Sequence, residues 1–241
     1  MPSSTTYSEL ETPHTAEIVV SPCYHGYGTT IGNMLRRVLL SSLPGAAITA
    51  VKIKGVAHEF SGIDGVLEDV VQIILNLKKV RVRVHSENEV KITLKATGAR
   101  AVTAADIEGN SDVEVVNPDA HIATITDAKK TLEMEIMVRQ GRGYVPVEER
   151  GDESLELGMI AVDAVYTPVV DVGYHVEFTR VGDITNYEKL TLRVQTDGTL
   201  STKDAVTQSV KILADHLNII QSIALSRFRL VTEGLCATII M

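Results

Sequence analysis

The feature that most constrains this sequence is a change in hydrophobic period along the chain. Near both ends, apolar residues recur every three to four positions, which is typical of amphipathic helices. Between them, KVRVRVHS, EVKITLKA and TLEMEIMVR alternate every second residue, which is typical of strands with one face in water. This order predicts an α+β fold in which both ends form one domain, helices packed on an antiparallel sheet, with a β-rich domain inserted between them.

Three segments have the pattern of helices. Pro44 and Gly45 stop the first, Asp64 can cap the second, and Asp204 favours the start of the third. Residues 1–13 are polar and are expected to be loose. The three helices are predicted at about 29–43, 64–79 and 201–225.

The first helix has two distinct faces when its residues are placed at about 100° intervals. On the outer face, Leu40 falls between Arg36 and Arg37. An apolar residue flanked by guanidinium groups is typical of protein interfaces, where arginine is enriched. Single exposed leucines are also common on ordinary surfaces, so the residues alone leave both interpretations open. The inner face carries Ile31, Met34, Leu35, Val38 and Leu39.

The last helix carries two apolar lines. One line steps by four and three residues, as in a coiled coil, and the second lies about 120° away. A helix with two apolar lines packs on two partners: its own sheet and another chain, or two parts of one large domain. The first line is Val206, Val210, Leu213, Leu217 and Ile220, and the second is Ala205, Ile212 and Ile219.

Composition narrows the function class. A formal net charge of −8 gives the chain no bulk affinity for nucleic acid. Two cysteines, Cys23 and Cys236, do not make a disulfide framework and are expected to be free thiols. No basic leader precedes an apolar core, and no apolar run is long enough to span a membrane. We therefore expect a cytoplasmic protein.

Motifs of catalysis are weak in this sequence. GYGTTIG has the spacing Gly-x-Gly-x-x-x-Gly and lacks both the dinucleotide fingerprint and the Lys-Ser/Thr of a P-loop. The seven histidines are scattered without metal-ligand spacing, and no Gly-x-Ser-x-Gly elbow occurs. We expect no catalytic residue, metal ligand or cofactor site in this chain. A dimeric enzyme that holds a phosphate with GYGTTIG remains an alternative.

The stretch GYGTTIGNMLRRVLLSSLPGAAITAVKIKG resembles the N-terminal region of the bacterial RNA polymerase alpha-subunit family. VTAADI, GRGYVP and VDAVYTPV agree in the same order. The resemblance implies a discontinuous dimerisation domain at 1–45 and 169–225, an inserted β-rich domain at 46–168, and a tail at 226–241. That tail resembles neither the family's linker nor its C-terminal DNA-binding domain. An archaeal or organellar counterpart is an alternative that SSLPG and GRGYVP disfavour.

The resemblance also implies site residues. Arg37 matches the position that docks the beta subunit, with Arg36, Leu40 and Lys78 beside it, and Val162 falls in the segment used for beta-prime. The helices at the two ends are expected to pack against their copies in a homodimer. The implied dimer residues are Ile31, Leu35, Val38, Leu39, Val210, Leu213 and Leu217.

The function implied by the resemblance is that of a scaffold. A homodimer of this chain would assemble the beta and beta-prime subunits, which carry the magnesium ions and the nucleotidyl-transfer chemistry. The chain would count as an enzyme only as a subunit of the polymerase. It would meet promoter DNA indirectly, through the assembled enzyme at the nucleoid, and would need no membrane.

Overall fold

The computed structural model describes residues 4–86, 88–150 and 156–236, with side-chain surroundings through residue 221. Within these residues there are three α-helices and fourteen strands. The helices are α1 (Tyr27–Ser41), α2 (Val70–Leu77) and α3 (Thr202–Cys236). The strands are β1 (Ser4–Glu9), β2 (Thr15–Cys23), β3 (Pro44–Ile53), β4 (Val82–Val84), β5 (Val90–Thr97), β6 (Arg100–Thr103), β7 (Val113–Val115), β8 (His121–Ile125), β9 (Thr131–Arg142), β10 (Tyr144–Val145), β11 (Ile160–Ala161), β12 (Ala164–Val165), β13 (Val169–Val181) and β14 (Ile184–Thr196).

The two ends of the chain meet in one antiparallel sheet. Its strand order is β1-β2-β14-β13, so that N-terminal strands lie beside a long C-terminal hairpin. Helix α1 packs on β13 and β14, and α3 packs against α1 and β14. The core beneath the helices is aliphatic and includes Leu35, Leu39, Leu43, Val172, Leu192, Val194 and Ala205.

The middle of the chain forms a second core. Its main sheet is antiparallel with the order β11-β3-β9-β5, and three two-stranded pairs, β4-β7, β6-β8 and β10-β12, complete the region. Helix α2 contributes one fully buried side to this core through Val70, Ile73 and Leu77. Alternation along β9 buries Leu132, Met134, Ile136 and Val138, as its period of two predicts.

Membership of the two cores changes at two places along the chain. Leu43 belongs to the first core and Ile48 to the second, while Val162 belongs to the second and Val169 to the first. The α+β class with mainly antiparallel sheets is confirmed. The division at 45/46 and 168/169 stays a prediction.

Two expectations about the N-terminal half are wrong. Residues 4–9 form β1, which pairs with β2 although all six side chains are exposed. The hydrogen bonds between its backbone and that of β2 hold the strand at the sheet edge, so it needs no alternation of apolar residues. Helix α2 begins at Val70 with Asp69 as its cap, since the Asp69 carboxylate accepts from Gln72 N at 2.8 Å. Gly65, with φ of +82°, keeps the chain out of helix after Asp64.

The last helix is longer than predicted. Helix α3 runs to Cys236 instead of ending near Leu225, because no proline or glycine interrupts the sequence between Ser201 and Gly234. Most of the predicted tail at 226–241 is therefore helix, and its last five residues lie outside the described residues.

Candidate functional site

Helix α1 lies unusually close to its sheet because two glycines face the strands. A Cβ atom added to Gly28 would come within 2.9 Å of Val176, and one added to Gly32 would come within 2.7 Å of the Tyr174 ring. Real Cβ atoms do not approach neighbours this closely, so both positions require glycine. The glycines of GYGTTIG therefore fix the distance between α1 and the sheet.

A carboxylate of the protein occupies the N-terminus of α1. Glu188 on β14 is 4% exposed, and its two oxygens accept hydrogen bonds from Gly26 N at 2.7 Å and Gly28 N at 2.8 Å. The His25 Nδ1 atom lies 3.3 Å from the same carboxylate. The Gly26 N–H, followed by the Gly28 N–H and His25, holds the pKa of Glu188 below its usual range.

This geometry argues against the phosphate-binding alternative. A helix N-terminus attracts anions through its free N–H groups and the helix dipole. At α1, Glu188 already uses the Gly26 and Gly28 donors. A phosphate at the same place would have to displace a buried carboxylate that belongs to the fold. GYGTTIG is explained by packing and by this cap.

The outer side of α1 forms an arginine surface, which we define as Arg36, Arg37 and Leu40. Arg36 is exposed, and its Nε donates to Val172 O at 3.0 Å. Arg37 is exposed, and within the described residues its guanidinium group makes no hydrogen bond or ion pair. Leu40 is half-buried and packs on the first core, so the expectation of a fully exposed leucine is wrong. The Leu40 carbonyl accepts from Thr167 Oγ1 at 3.2 Å.

A second exposed surface, on and beside α2, was not predicted from the sequence. The α2 surface consists of Phe60, Leu67, Val71 and Leu75, with exposed fractions of 82%, 71%, 37% and 52%. Helix α2 is apolar on nearly all sides, VVQIILNL, and only one side is needed for the core. That surplus was the available signal, together with a phenylalanine in the turn-rich segment EFSGIDG. Clustered exposed apolar residues mark protein contact sites.

Lys78 lies at the C-terminal end of α2 and is already paired. Its Nζ is 2.8 Å from Asp163 Oδ2, while Asp163 Oδ1 accepts from Val147 N at 3.1 Å. The Lys78 ammonium, followed by the Val147 N–H, holds the pKa of Asp163 below its usual range. A partner that used Lys78 would have to share this ion pair.

Val162 is not on the surface. Its side chain is 1% exposed in the second core, its N–H donates to Thr49 O at 2.8 Å, and its carbonyl accepts from Arg150 Nη2. The period of two in VDAVY turns Val162 inward and Asp163 outward. The assignment of the segment around Val162 to beta-prime stays a prediction, but a contact by the Val162 side chain itself does not fit its burial, since in this segment Asp163 and Val165 reach the solvent.

The predicted dimer residues divide into two groups. Leu35 and Leu39 are 8% and 0% exposed, because they pack on their own sheet. Of the predicted dimer residues on α1, this leaves the half-buried Ile31 and Val38 for contact with a second copy. Leu213 on α3 is also half-buried. The rest of α3 is different. An α3 surface of Val210, Leu217, Ile219 and Ile220 is exposed by 49%, 54%, 62% and 63%.

A metal site needs several ligating side chains close together, and a membrane-spanning helix needs a long apolar stretch. In the part of the chain that the structure describes, no group of three or more His, Cys, Asp or Glu side chains is arranged to hold a metal ion. None of the helices there combines the length and apolar character that crossing a membrane requires.

The α+β fold agrees with what comparisons with known proteins find. Residues 51–167 match the family model of the RNA polymerase Rpb3/RpoA insert domain, so the chain carries an insert domain of this class. Over 203 residues the chain is 51% identical to the DNA-directed RNA polymerase subunit alpha of Oceanobacillus iheyensis. The alignment covers 84% of this chain and 64% of that relative. The resemblance to the alpha subunit is therefore confirmed.

Proposed function

We propose that this chain is the assembly subunit of a DNA-directed RNA polymerase: two copies form a homodimer that scaffolds the beta and beta-prime subunits. The observation that carries the proposal is the 51% identity to a polymerase alpha subunit across 84% of the chain. The exposed surfaces on α1, α2 and α3 supply the contacts that such a role needs.

The dimer contact is assigned to α3. Val210, Leu217 and Ile220 lie at coiled-coil spacing on this helix, and within the described chain they are 49%, 54% and 63% exposed. Water contact with four large aliphatic side chains on one helix is unfavourable, and a second copy of the same helix would remove it. Ile31, Val38 and Leu213 lie half-buried at the edge of this interface.

The beta contact is assigned to the arginine surface, with Arg37 at its centre. An arginine without an internal partner can make a bidentate bond to a carboxylate of another chain. Removal of such a group from a desolvated contact costs about 2 kcal/mol or more. The α2 surface and Lys78 extend the docking area, and the segment around Asp163 and Val165 is assigned to beta-prime.

The chemistry belongs to the partners. The beta and beta-prime subunits would bind magnesium ions and carry out nucleotidyl transfer, and this chain would contribute geometry. It would act in the cytoplasm at the nucleoid and reach promoter DNA through the assembled enzyme.

The test is co-purification from the native host with three tagged chains: wild type, Arg37→Ala and Arg180→Ala. Arg180 is the matched control, since it is an exposed arginine of the same domain that pairs locally with Gly182 O and Asp183. Mass spectrometry identifies and quantifies the chains that bind.

We expect wild type and Arg180→Ala to recover two very large subunits, and Arg37→Ala to lose them while remaining dimeric. If wild type recovers neither large subunit, the proposed function is wrong. If Arg37→Ala and Arg180→Ala recover equal amounts, the assignment of the arginine surface is wrong. Clear micromolar binding of nucleotides by the isolated chain in isothermal titration would instead support the enzyme alternative.

A further inference from the structure

The two domains are joined at a narrow crossing. The chain passes between the cores at Pro44–Gly45 and again at Tyr166–Pro168. These two passages lie against each other, because a Cβ atom on Gly45 would lie 1.8 Å from Tyr166 O. Tyr166 N also donates to Gly143 O at 2.9 Å. Two adjacent chain passages resist separation but leave rotation about their common line open.

A cavity of about 240 Å³ lies beside the crossing. Its walls include the crossing residues Pro44, Gly45 and Pro168, together with Arg83 on β4 and Thr199 in the loop before α3. Since the cavity leaves the domains without packing here, side chains that bridge it control the angle between them.

Arg83 bridges the cavity with its guanidinium group. Its Nε and Nη2 donate to Thr199 O at 3.0 and 2.8 Å, so one carbonyl of the first domain accepts two charged donors of the second. Its Nη1 lies 2.7 Å from Glu114 Oε2 on the neighbouring strand β7. Glu114 thus pairs with Nη1 inside its own domain, while Nε and Nη2 reach across to Thr199 independently of that pair.

Hydrogen bonds hold the loop that contains Thr199 in place. Asp197 Oδ1 accepts from Thr199 N at 2.9 Å and from Thr199 Oγ1 at 2.5 Å, and Asp197 N donates to Pro168 O at 3.0 Å. Arg81 Nε lies 3.6 Å from Asp197 Oδ2 and adds a second, longer link between the domains. The loop is therefore tied both to the crossing and to β4.

On the other side, the link leads to the end of α2. Arg81 N donates to Asn117 Oδ1 at 2.6 Å, and Asn117 Nδ2 donates to Lys79 O at 2.9 Å. Lys79 directly follows Lys78, so the bridge and the α2 surface belong to one hydrogen-bonded unit. The orientation of the bridge therefore sets where the α2 surface stands relative to α1.

We propose that Arg83 is a positioning residue: a strut across the domain crossing that holds the insert domain at a fixed angle to the dimerisation domain. The inference rests on the proposed function, in which one partner has to meet the arginine surface on α1 and the α2 surface together. Without the strut the two surfaces would move independently, and the partner would pay the entropy of aligning them.

The test compares Arg83→Met with Glu114→Ala in the full chain. Methionine keeps the aliphatic stem over the cavity and removes only the guanidinium group, which protects folding. Glu114→Ala is the control, because it removes the ion pair within one domain and leaves both bonds to Thr199. Spin labels are placed at Lys95→Cys on β5 and Lys203→Cys on α3, in a Cys23→Ala, Cys236→Ser background diluted with unlabelled chain. Electron-electron double resonance then gives the distance distribution between the domains.

We expect one narrow distance for wild type and Glu114→Ala, and a distribution about twice as broad for Arg83→Met, as for a released hinge. Thermal melting confirms that each variant is folded. An unchanged distribution in Arg83→Met overturns the proposal, and so does equal broadening in Glu114→Ala.

A second readout separates this proposal from the proposed function. In co-purification, Arg83→Met should recover several-fold less of the large subunits than Glu114→Ala does, although its own docking residues are intact. If wild type recovers no large subunits, the proposed function fails, while the distance measurement still decides whether Arg83 is a strut.

Discussion

Helices α1 and α3 have similar apolar repeats in the sequence but different surroundings in the fold. Helix α1 buries Gly28, Gly32, Leu35 and Leu39 against its own sheet. Helix α3 buries Ala205 and Ser209 near its start, half-buries Ile212 and Leu213, and exposes Val210, Leu217 and Ile220. The most apolar side of α1 is therefore covered mainly by its own sheet, whereas α3 keeps large apolar side chains exposed.

The comparison teaches that hydrophobic period identifies an apolar face but not what covers it. On α1 the two glycines bring the helix so close to the sheet that Leu35 and Leu39 are buried, while Ile31, Met34 and Val38 of the inner face are half-buried. Helix α3 is 35 residues long, and among its described side chains only those near its start are buried against the rest of the chain. Burial by the chain's own sheet separates the two cases.

The largest predicted effect tests the internal role of α1. Leu39→Ala removes a fully buried side chain from the first core and should lower the free energy of unfolding by about 2–5 kcal/mol. Urea denaturation measures the change. The control is Ser41→Ala on the exposed side, and a loss below about 1 kcal/mol in Leu39→Ala would contradict the proposed packing of α1.

The next effect tests the external role of α3. Leu217→Glu places a charge in the α3 surface and should raise the dimer dissociation constant at least tenfold, or about 1.4 kcal/mol. Sedimentation equilibrium over a range of concentrations measures it. Asn218→Glu, one position further on and also exposed, is the control.

That prediction separates the two helices. If both variants dissociate equally, general charge repulsion accounts for the effect and the α3 surface is not the contact. If neither dissociates, the dimer forms elsewhere. Leu217→Glu should retain the circular dichroism of the wild type, because its side chain supports no internal core.

A smaller effect concerns the α2 surface. Leu75→Asp should reduce recovery of the large subunits several-fold and change the free energy of unfolding by less than about 0.5 kcal/mol, as for a surface site. Gln72→Asp, an exposed polar position on the same helix, is the control for charge. Equal recovery by the two variants would remove the α2 surface from the docking area.

The smallest effect concerns the α1 cap and depends on pH. Glu188→Gln weakens the bonds to Gly26 and Gly28, so at pH 7 the variant should melt at a lower temperature than wild type. Because folding lowers the pKa of Glu188, its stabilisation is present above the ordinary value of about 4.3 and is lost as pH falls through the folded value. The difference between the two melting temperatures should therefore shrink as the pH falls below this ordinary value.

Melting curves from pH 3 to pH 7 check this prediction, and the difference between the two proteins removes the contribution of other carboxyl groups. A difference that stays constant over the whole range would show that the Glu188 charge does not act as the cap.

The sequence predicted what depends on local pattern. The three helices, the alternating strands and the discontinuous order followed from period, and the arginine pair was found because Leu40 interrupts a polar face. Burial and pairing that depend on residues distant in the sequence could not be predicted in this way. Leu40 is half-covered by the first core, Val162 is inside the second, and Lys78 is paired with Asp163, 85 positions away.

Other features leave no signal in the hydrophobic period of the sequence. Strand β1 is held by backbone hydrogen bonds to β2, and its side chains show no pattern that would predict this pairing. The bond from Arg83 to Thr199 joins residues 116 positions apart, and a surface arginine in an alternating strand looks like any other. The excess of apolar residues in VVQIILNL and the phenylalanine in EFSGIDG could have indicated the α2 surface in advance.

The most direct measurement of the central claim is native mass spectrometry of the complex that the tagged wild-type chain recovers from its host. The account predicts an assembly with two copies of this chain and one copy each of two large subunits. Recovery of the chain alone, as monomer or dimer with no large subunit bound, would contradict it.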